Sequence, residues 1–311
     1  MTRIHLPVSP VGLARLGAAV TRDWPNALGG REAVSGALTC FSTLPENSAA
    51  RCGLEVRCHE DDRIDAFVMA GRGAELAELA RWIDYHHPDS ILSRLSAAST
   101  EFGWLEMDGA DPRTNLGWFT AVPEDGPQRL TDLVQSTSAV HRVASTMRGC
   151  QLLQLGFFPA RHPRAVRLFA AVDDPTAALD VLSSISWPGP VDAAAELLRL
   201  GSAAEMVRVN LDIIDDVLLP TVGWEFSFRD DAQPVTEPRW SALFAAMVGA
   251  GLATPERATA LLNWPCLRPL SRLSGEWLER GLGHVKLSLN LHGRPEAKAY
   301  VGGYAIVPTH A

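Results

Sequence analysis

The sequence predicts an α+β protein built on antiparallel hairpins, and three observations carry that prediction. Stretches that alternate apolar and polar residues come in pairs joined by polar turns. Segments with helical spacing lie between the pairs. Five of the strand-like stretches also carry one basic residue at the same place in the alternation: Arg57, Arg167, Arg208, Lys286 and Lys298.

The first pair joins residues 52–59 to 64–69 across the charged turn 59–63. A weaker one joins 102–108 to 116–122. Next come 152–158 and 165–172 around Pro159 and Pro163, then 205–213 and 222–228 through 215–220. The last joins 284–291 to 296–304 through 292–295, giving roughly ten strands in five hairpins. Helical spacing marks 75–85, and Asp89-Ser90 can cap a helix that follows. Asp174-Pro175 opens 176–185, with Pro in the first turn, where its missing N–H costs nothing. Further helices are expected at 191–200, 240–251, 254–263 (capped by Thr254) and 270–281. The helix–hairpin alternation spans the chain without a low-complexity linker, so one domain over residues 1–311 is expected.

Successive side chains of a strand point to opposite faces. Val207, Val209 and Leu211 therefore oppose Arg208, Asn210 and Asp212, and Val285, Leu287 and Leu289 oppose Lys286, Ser288 and Asn290. Glu106 and Asp108 share the polar side of their strand, as Glu225 and Ser227 do opposite Trp224, Phe226 and Phe228. The helices need the apolar face, so the polar face looks away from them. An open sheet with a solvated face satisfies this. So does a closed barrel with helices outside and a polar lumen roomy enough for a cavity. The pattern alone leaves both open.

Of 311 residues, 47% are hydrophobic and 21% charged, an ordinary globular composition. A net charge of −8 disfavours nonspecific binding to nucleic acid or anionic membrane, yet permits a local cationic pocket. Apolar runs are interrupted or shorter than a membrane span, and no export signal is read at the N-terminus, so a cytoplasmic protein is expected. Five irregularly spaced cysteines argue against a disulfide framework. No metal site is expected: Cys52, Cys58 and His59 lack paired spacing, and His86-His87 diverge at a helix end. Gly71-Arg72-Gly73 is too short for a dinucleotide fingerprint, and no phosphate-binding Gly-Lys-Ser/Thr or hydrolase nucleophile elbow occurs. The tryptophan-rich stretch 240–277 reads as helical layer, with a groove for a peptide leader as the lesser alternative.

With Glu55 two residues before Arg57 in the first hairpin, Lys298-Ala299-Tyr300 as a Lys-x-Tyr pattern and Arg167-x-Phe169 as its aromatic variant, the chain resembles the ABBA-type, or PT-barrel, aromatic prenyltransferases. The order of units also looks like the peptide-modifying prenyltransferases of cyanobactin pathways. The resemblance covers roughly residues 50–305 and is one of architecture and strand pattern rather than of any long motif. It implies a ten-stranded antiparallel barrel of repeated αββα units with a polar lumen and surrounding helices. It further implies transfer of an allyl group from a diphosphate to an aromatic acceptor, a peptide Trp or Tyr among the candidates, without a metal or other cofactor. On that reading Arg57, Arg167, Arg208, Lys286 and Lys298 hold the diphosphate, and Glu55 positions or deprotonates the acceptor. Trp104, Phe169, Tyr300, Tyr304, Glu106, Asn210, Glu225 and Ser288 line the substrate pocket.

Two departures stand out. The chain has only Tyr85, Tyr300 and Tyr304 where the family shields the allylic cation with several tyrosines. Trp104, Trp118, Phe157 and Phe169 are expected to stand in, since any aromatic face attracts a cation. The polar face also carries Glu55, Asp65, Glu106, Asp108, Asp212 and Glu225, which compete for the cations. A second reading is therefore a barrel that binds a precursor peptide, as a tailoring cyclase or maturation protein of a peptide natural product without prenyl chemistry. A third is a noncatalytic open sheet.

Overall fold

Alternation builds the barrel. In the computed structural model, which describes residues 11–59, 61–99, 101–108, 115–122, 131–132, 137–270 and 275–306, the hairpins pair β1 (Arg51–Arg57) with β2 (Ile64–Gly71) and β3 (Phe102–Met107) with β4 (Leu116–Ala121). They continue with β5 (Cys150–Phe157) and β6 (Ala165–Val172), then β7 (Met206–Ile214) and β8 (Val217–Ser227). Last come β9 (Cys266–Pro269), β10 (Trp277–Leu289) and β11 (Pro295–Ile306). All pairings are antiparallel. Strand β11 pairs with both β10 and β1, and β10 also pairs with β8, so ten strands close on themselves; β9 adds only to the start of β10. The open-sheet alternative is thereby excluded.

Helices α1 (Leu13–Val20) and α2 (Arg31–Thr43) precede the first hairpin; α3 (Ala74–His86) and α4 (Ile91–Ala98) separate it from the second. Helix α5 (Thr137–Thr146) precedes the third, α6 (Ala178–Ser184) and α7 (Val191–Leu200) the fourth, and α8 (Arg239–Gly249) and α9 (Pro255–Leu262) the last. Ser90 and Thr254 cap α4 and α9 by accepting from the backbone N–H three residues on, as their sequence suggests. The apolar strand faces meet the helices: Leu54, Val68, Leu105, Leu168, Val209 and Val285 are fully buried there. Trp224, on the same outer layer, donates Nε1–H to the Ala194 carbonyl of α7 at 3.1 Å. Trp118 and Phe157 belong to this layer as well. They cannot serve as the expected lumen aromatics, because their parity along β4 and β5 turns them outward.

Two elements depart from the sequence reading. The segment expected to be helical over 270–281 is already strand from Trp277, with residues 271–274 outside the described set. Leu278 and Leu282 are buried in a pairing with Val301–Ile306, and that sheet context overrides local propensity. The expected loop 215–220 shrinks to Asp215-Asp216, both at positive φ (51° and 64°), a geometry Asp tolerates in tight hairpins. Pro220 then lies within β8, beyond the β8–β10 ladder of Val222–Phe226, where a missing N–H breaks no bond.

Candidate active site

The hairpin-turn end of the lumen is a salt-bridged plug. Arg57 donates to Glu55 and, at 2.9 Å, to Asp65 Oδ2. Lys298 Nζ lies 2.7 Å from Glu55 Oε1, while the Tyr300 hydroxyl donates to Glu55 Oε2. Burial alone would raise the Glu55 carboxyl, but Lys298 and Arg57 hold it well below the usual carboxylate range. Arg167 grips Asp212 with two bonds, at 2.7 and 3.1 Å, and stacks over Phe158, 4.8 Å from its centroid. Arg161 covers the other approach to Phe158 at 4.2 Å.

Above the plug lies a cavity of about 520 Å³, within the range of small-molecule sites. Phe67, Trp104, Phe119, Phe169 and Tyr300 wall it with aromatic rings, and Arg208, Lys286, Glu106, Glu225 and His284 supply its charge and polarity. It reaches the exposed residues Arg51, Asp230 and Asp231, so it opens to solvent at the end where the helices connect the hairpins. Phe67 stacks on Trp104 at 4.5 Å between centroids, and Trp104 meets Tyr300 edge-on at 6.3 Å. Room for these rings comes from glycines directly opposite them on the neighbouring strand: a Cβ on Gly53 would sit 2.3 Å from Phe67, and one on Gly156 2.5 Å from Phe119.

The five basic residues of the strand pattern do share one lumen, in two tiers. Arg57, Arg167 and Lys298 are committed to carboxylates in the plug and do not line the cavity. Arg208 and Lys286 do line it. Arg208 donates to Ser227 Oγ at 3.0 Å and has no carboxylate partner among the described residues. Lys286 Nζ donates to Asn210 Oδ1 at 3.0 Å and lies 3.8 Å from Glu225 Oε1. Burial, with Arg167 nearby, lowers its ammonium to about 8 against the pull of Glu225.

Of the other expected pocket residues, Trp104, Phe169, Tyr300, Tyr304, Glu106, Asn210 and Glu225 border the cavity. Glu55 lies behind Tyr300 and does not, and Ser288 sits opposite Gly223 and Glu296, away from it. Glu106 has no hydrogen-bond or ion-pair partner among the described residues, although it lies among charged groups. Burial and the Glu55 charge raise it to about 7. Phe67, Phe119 and His284 escaped the sequence reading, although parity points to them: Phe67 shares a face with Asp65, and His284 with Lys286. Among the described residues no group of three or more His, Cys, Asp or Glu is placed to hold a metal ion.

Gly223 packs directly beneath Lys286. A Cβ there would come 2.6 Å from Lys286 Cε and 3.3 Å from Asn210 Cβ. Gly223→Ala is expected to push the ammonium off its seat and weaken binding of an anionic ligand about tenfold, by analogy with the worth of one charged hydrogen bond. Calorimetric titration against wild type checks this.

No family profile matches the chain, and no curated protein matches it in sequence. Solved structures do match its fold. The 6-dimethylallyltryptophan synthase of Micromonospora olivasterospora, solved with DMASPP and Trp, superposes with a TM-score of 0.58 at 13% identity, covering 95% of this chain and 98% of that one. NotF, solved with brevianamide F and DMSPP, gives 0.58 at 10% identity over 100% and 98% of the two chains. AnaPT of Neosartorya fischeri gives 0.55 at 10% identity over 97% and 94%. The closed ten-stranded barrel with outer helices is thus the fold of the aromatic prenyltransferases.

Proposed function

We propose that this barrel, which has the fold of proteins solved with DMASPP or DMSPP beside an aromatic molecule, transfers an allyl group from a diphosphate to an aromatic acceptor. The observation that carries the reading is a cavity walled by aromatic rings and lined by two cations, the half-buried Arg208 and the buried Lys286. A diphosphate needs several donors; Arg208 offers a planar fork, and Lys286 is buried where the dielectric is low and a contact is strong. The allyl C–O bond breaks with its electron pair leaving on the diphosphate. The resulting cation lies among the π faces of Phe67, Trp104, Phe119, Phe169 and Tyr300, which attract it and exclude water. A ring carbon of the acceptor then supplies its π pair to the new C–C bond. Side-chain cations neutralise the leaving group in this scheme, so no metal takes part.

In this scheme Glu106, on the cavity wall, accepts the N–H or O–H of an indole or phenol and raises the electron density of its ring. Glu55, held by Arg57, Lys298 and Tyr300, acts behind it by fixing Tyr300. The exposed mouth admits an acceptor carried on a short peptide as well as a free one.

Calorimetric titration with dimethylallyl or geranyl thiolodiphosphate, followed by mass spectrometry of products from tryptophan, tyrosine and their short peptides, tests the proposal. Failure of every analogue to bind would remove it. A further outcome follows from the two shifted groups. Glu106 anchors the acceptor when ionised, above about 7, and Lys286 holds the diphosphate when charged, below about 8. Because kcat/KM reports the free enzyme, its pH profile should be a narrow bell between those values, and Glu106→Gln should abolish the acid limb alone.

A further inference from the structure

His284 enters the cavity wall through an irregularity in its strand. The β10–β11 register shifts between Leu282 and His284, a bulge at Gly283. Gln233 pins that bulge: its Oε1 accepts from the Leu282 N–H at 2.8 Å, and its Nε2 donates to the Leu282 carbonyl at 3.2 Å. Bulges of this kind re-aim side chains beside active sites. The imidazole stacks on Tyr300, with 4.1 Å between centroids and 20° between planes, and its Nε2 lies 3.4 Å from Glu225 Oε2. Glu225 is itself held, since its Oε1 accepts from Asn210 Nδ2 at 3.0 Å and faces Lys286 Nζ. One carboxylate oxygen is therefore directed to one ring nitrogen. A carboxylate at that distance favours the ring hydrogen on Nε2, which makes Nδ1 the proton acceptor of the uncharged ring.

Resting on the prenyl-transfer reading above, we infer that His284 is the catalytic base that removes the acceptor's proton after the new bond forms, with Glu225 as its positioning residue. Once the ring carbon has bonded to the allyl group, the acceptor is a cation bearing a hydrogen on a tetrahedral carbon. Nδ1 takes that hydrogen as a proton, the C–H electron pair restores the aromatic ring, and the imidazolium formed is balanced by the Glu225 carboxylate. Solvent at the open mouth receives the proton before the next turnover. The charged and titratable groups around His284 are Glu225 on β8, Arg208 on β7, Lys286 on β10, Glu55 on β1 and Tyr300 on β11. Burial lowers the imidazole to about 4, with Arg208 and Lys286 opposing the pull of Glu225, so it is uncharged and ready to accept at neutral pH. A cationic ring intermediate is acidic enough for so weak a base. Glu106 has no comparable orienting partner among the described residues, which suits it to anchoring instead.

The test uses the full chain, an acceptor deuterated at the carbon that becomes prenylated, and the variants His284→Gln, His284→Phe and Glu225→Gln. Both His284 variants should lower kcat by about 100-fold, the worth of a positioned base. A primary isotope effect on kcat, absent from wild type, should appear as proton removal becomes limiting. Thiolodiphosphate affinity and the urea midpoint should stay near wild type in His284→Gln. Glu225→Gln should show a smaller fall with the same isotope effect. Turnover of His284→Gln and His284→Phe near the wild-type rate overturns the inference, as does a loss of turnover that tracks lost analogue binding without an isotope effect. A wild-type protein that binds the analogue but alkylates no acceptor rejects the prenyl-transfer reading and this inference with it.

Discussion

Removing both cavity cations at once, with Arg208→Ala and Lys286→Met, is expected to weaken binding of an allyl thiolodiphosphate by about 10²–10⁴-fold. Each supplies a charge-assisted hydrogen bond worth about 1.5–3 kcal/mol, and every 1.4 kcal/mol is a factor of ten. Single variants should each lose about 10–100-fold, while Arg199→Ala on the exposed face of α7 should bind as wild type does. Some stability should be lost with the two cations, because Glu225 keeps only Asn210 and the uncharged His284 as neighbours, so the urea midpoint of each variant is read beside its affinity. The reverse result is equally readable. Should Arg167→Met or Lys298→Met abolish binding while the cavity pair can be removed without effect, the anion would sit in the plug and the two-tier division would be wrong.

Arg57→Met carries the largest expected cost in stability, about 3–5 kcal/mol, the usual penalty for orphaning buried partner charges. Arg57 is 7% exposed, and its loss leaves Glu55 and Asp65, at 7% and 4%, sharing too little positive charge. The effect has a defined pH dependence. The folded-state Glu55 carboxyl lies below its ordinary value of 4.5, so its contribution is present above that value and fades as pH falls through the folded one. The deficit of the variant should therefore be greatest near neutrality and shrink in acid, where Glu55 and Asp65 can protonate. Urea denaturation at several pH values measures this, and Arg57→Met combined with Glu55→Gln and Asp65→Asn should recover part of the loss. A deficit that is constant with pH would assign it to packing alone.

Particular residues show how far the sequence could be read. The hairpins were legible because the strand period is two: once Val207 and Val209 face the helices, Arg208 and Asn210 must face the lumen. The same rule contains Phe67 and His284, each two residues from a charged lumen residue (Asp65 and Lys286), but aromatic and imidazole rings occur in outer layers as well as in polar lumens, so residue type alone does not single them out. It also corrects Trp118 and Phe157, whose chemistry suits a cation shield but whose parity places them in the outer layer. Helices α1, α2 and α5 were not read from the sequence; α1 and α2 open on Gly12 and Gly30, which supply no side-chain cap to mark their starts.

The sequence by itself determined which face of each strand is polar, and that five cations share that face, because pleat geometry is local and needs no knowledge of partners. Only the tertiary structure decided that the sheet closes, since closure depends on β11 meeting β1 across the whole chain. It also decided which cations are spent. Whether Arg57 faces a ligand or a carboxylate is settled by Asp65 across the hairpin, and whether Lys298 does is settled by Glu55, far away in sequence. Charge neutralisation in a buried lumen is a property of neighbours in space, and one-dimensional pattern does not encode it.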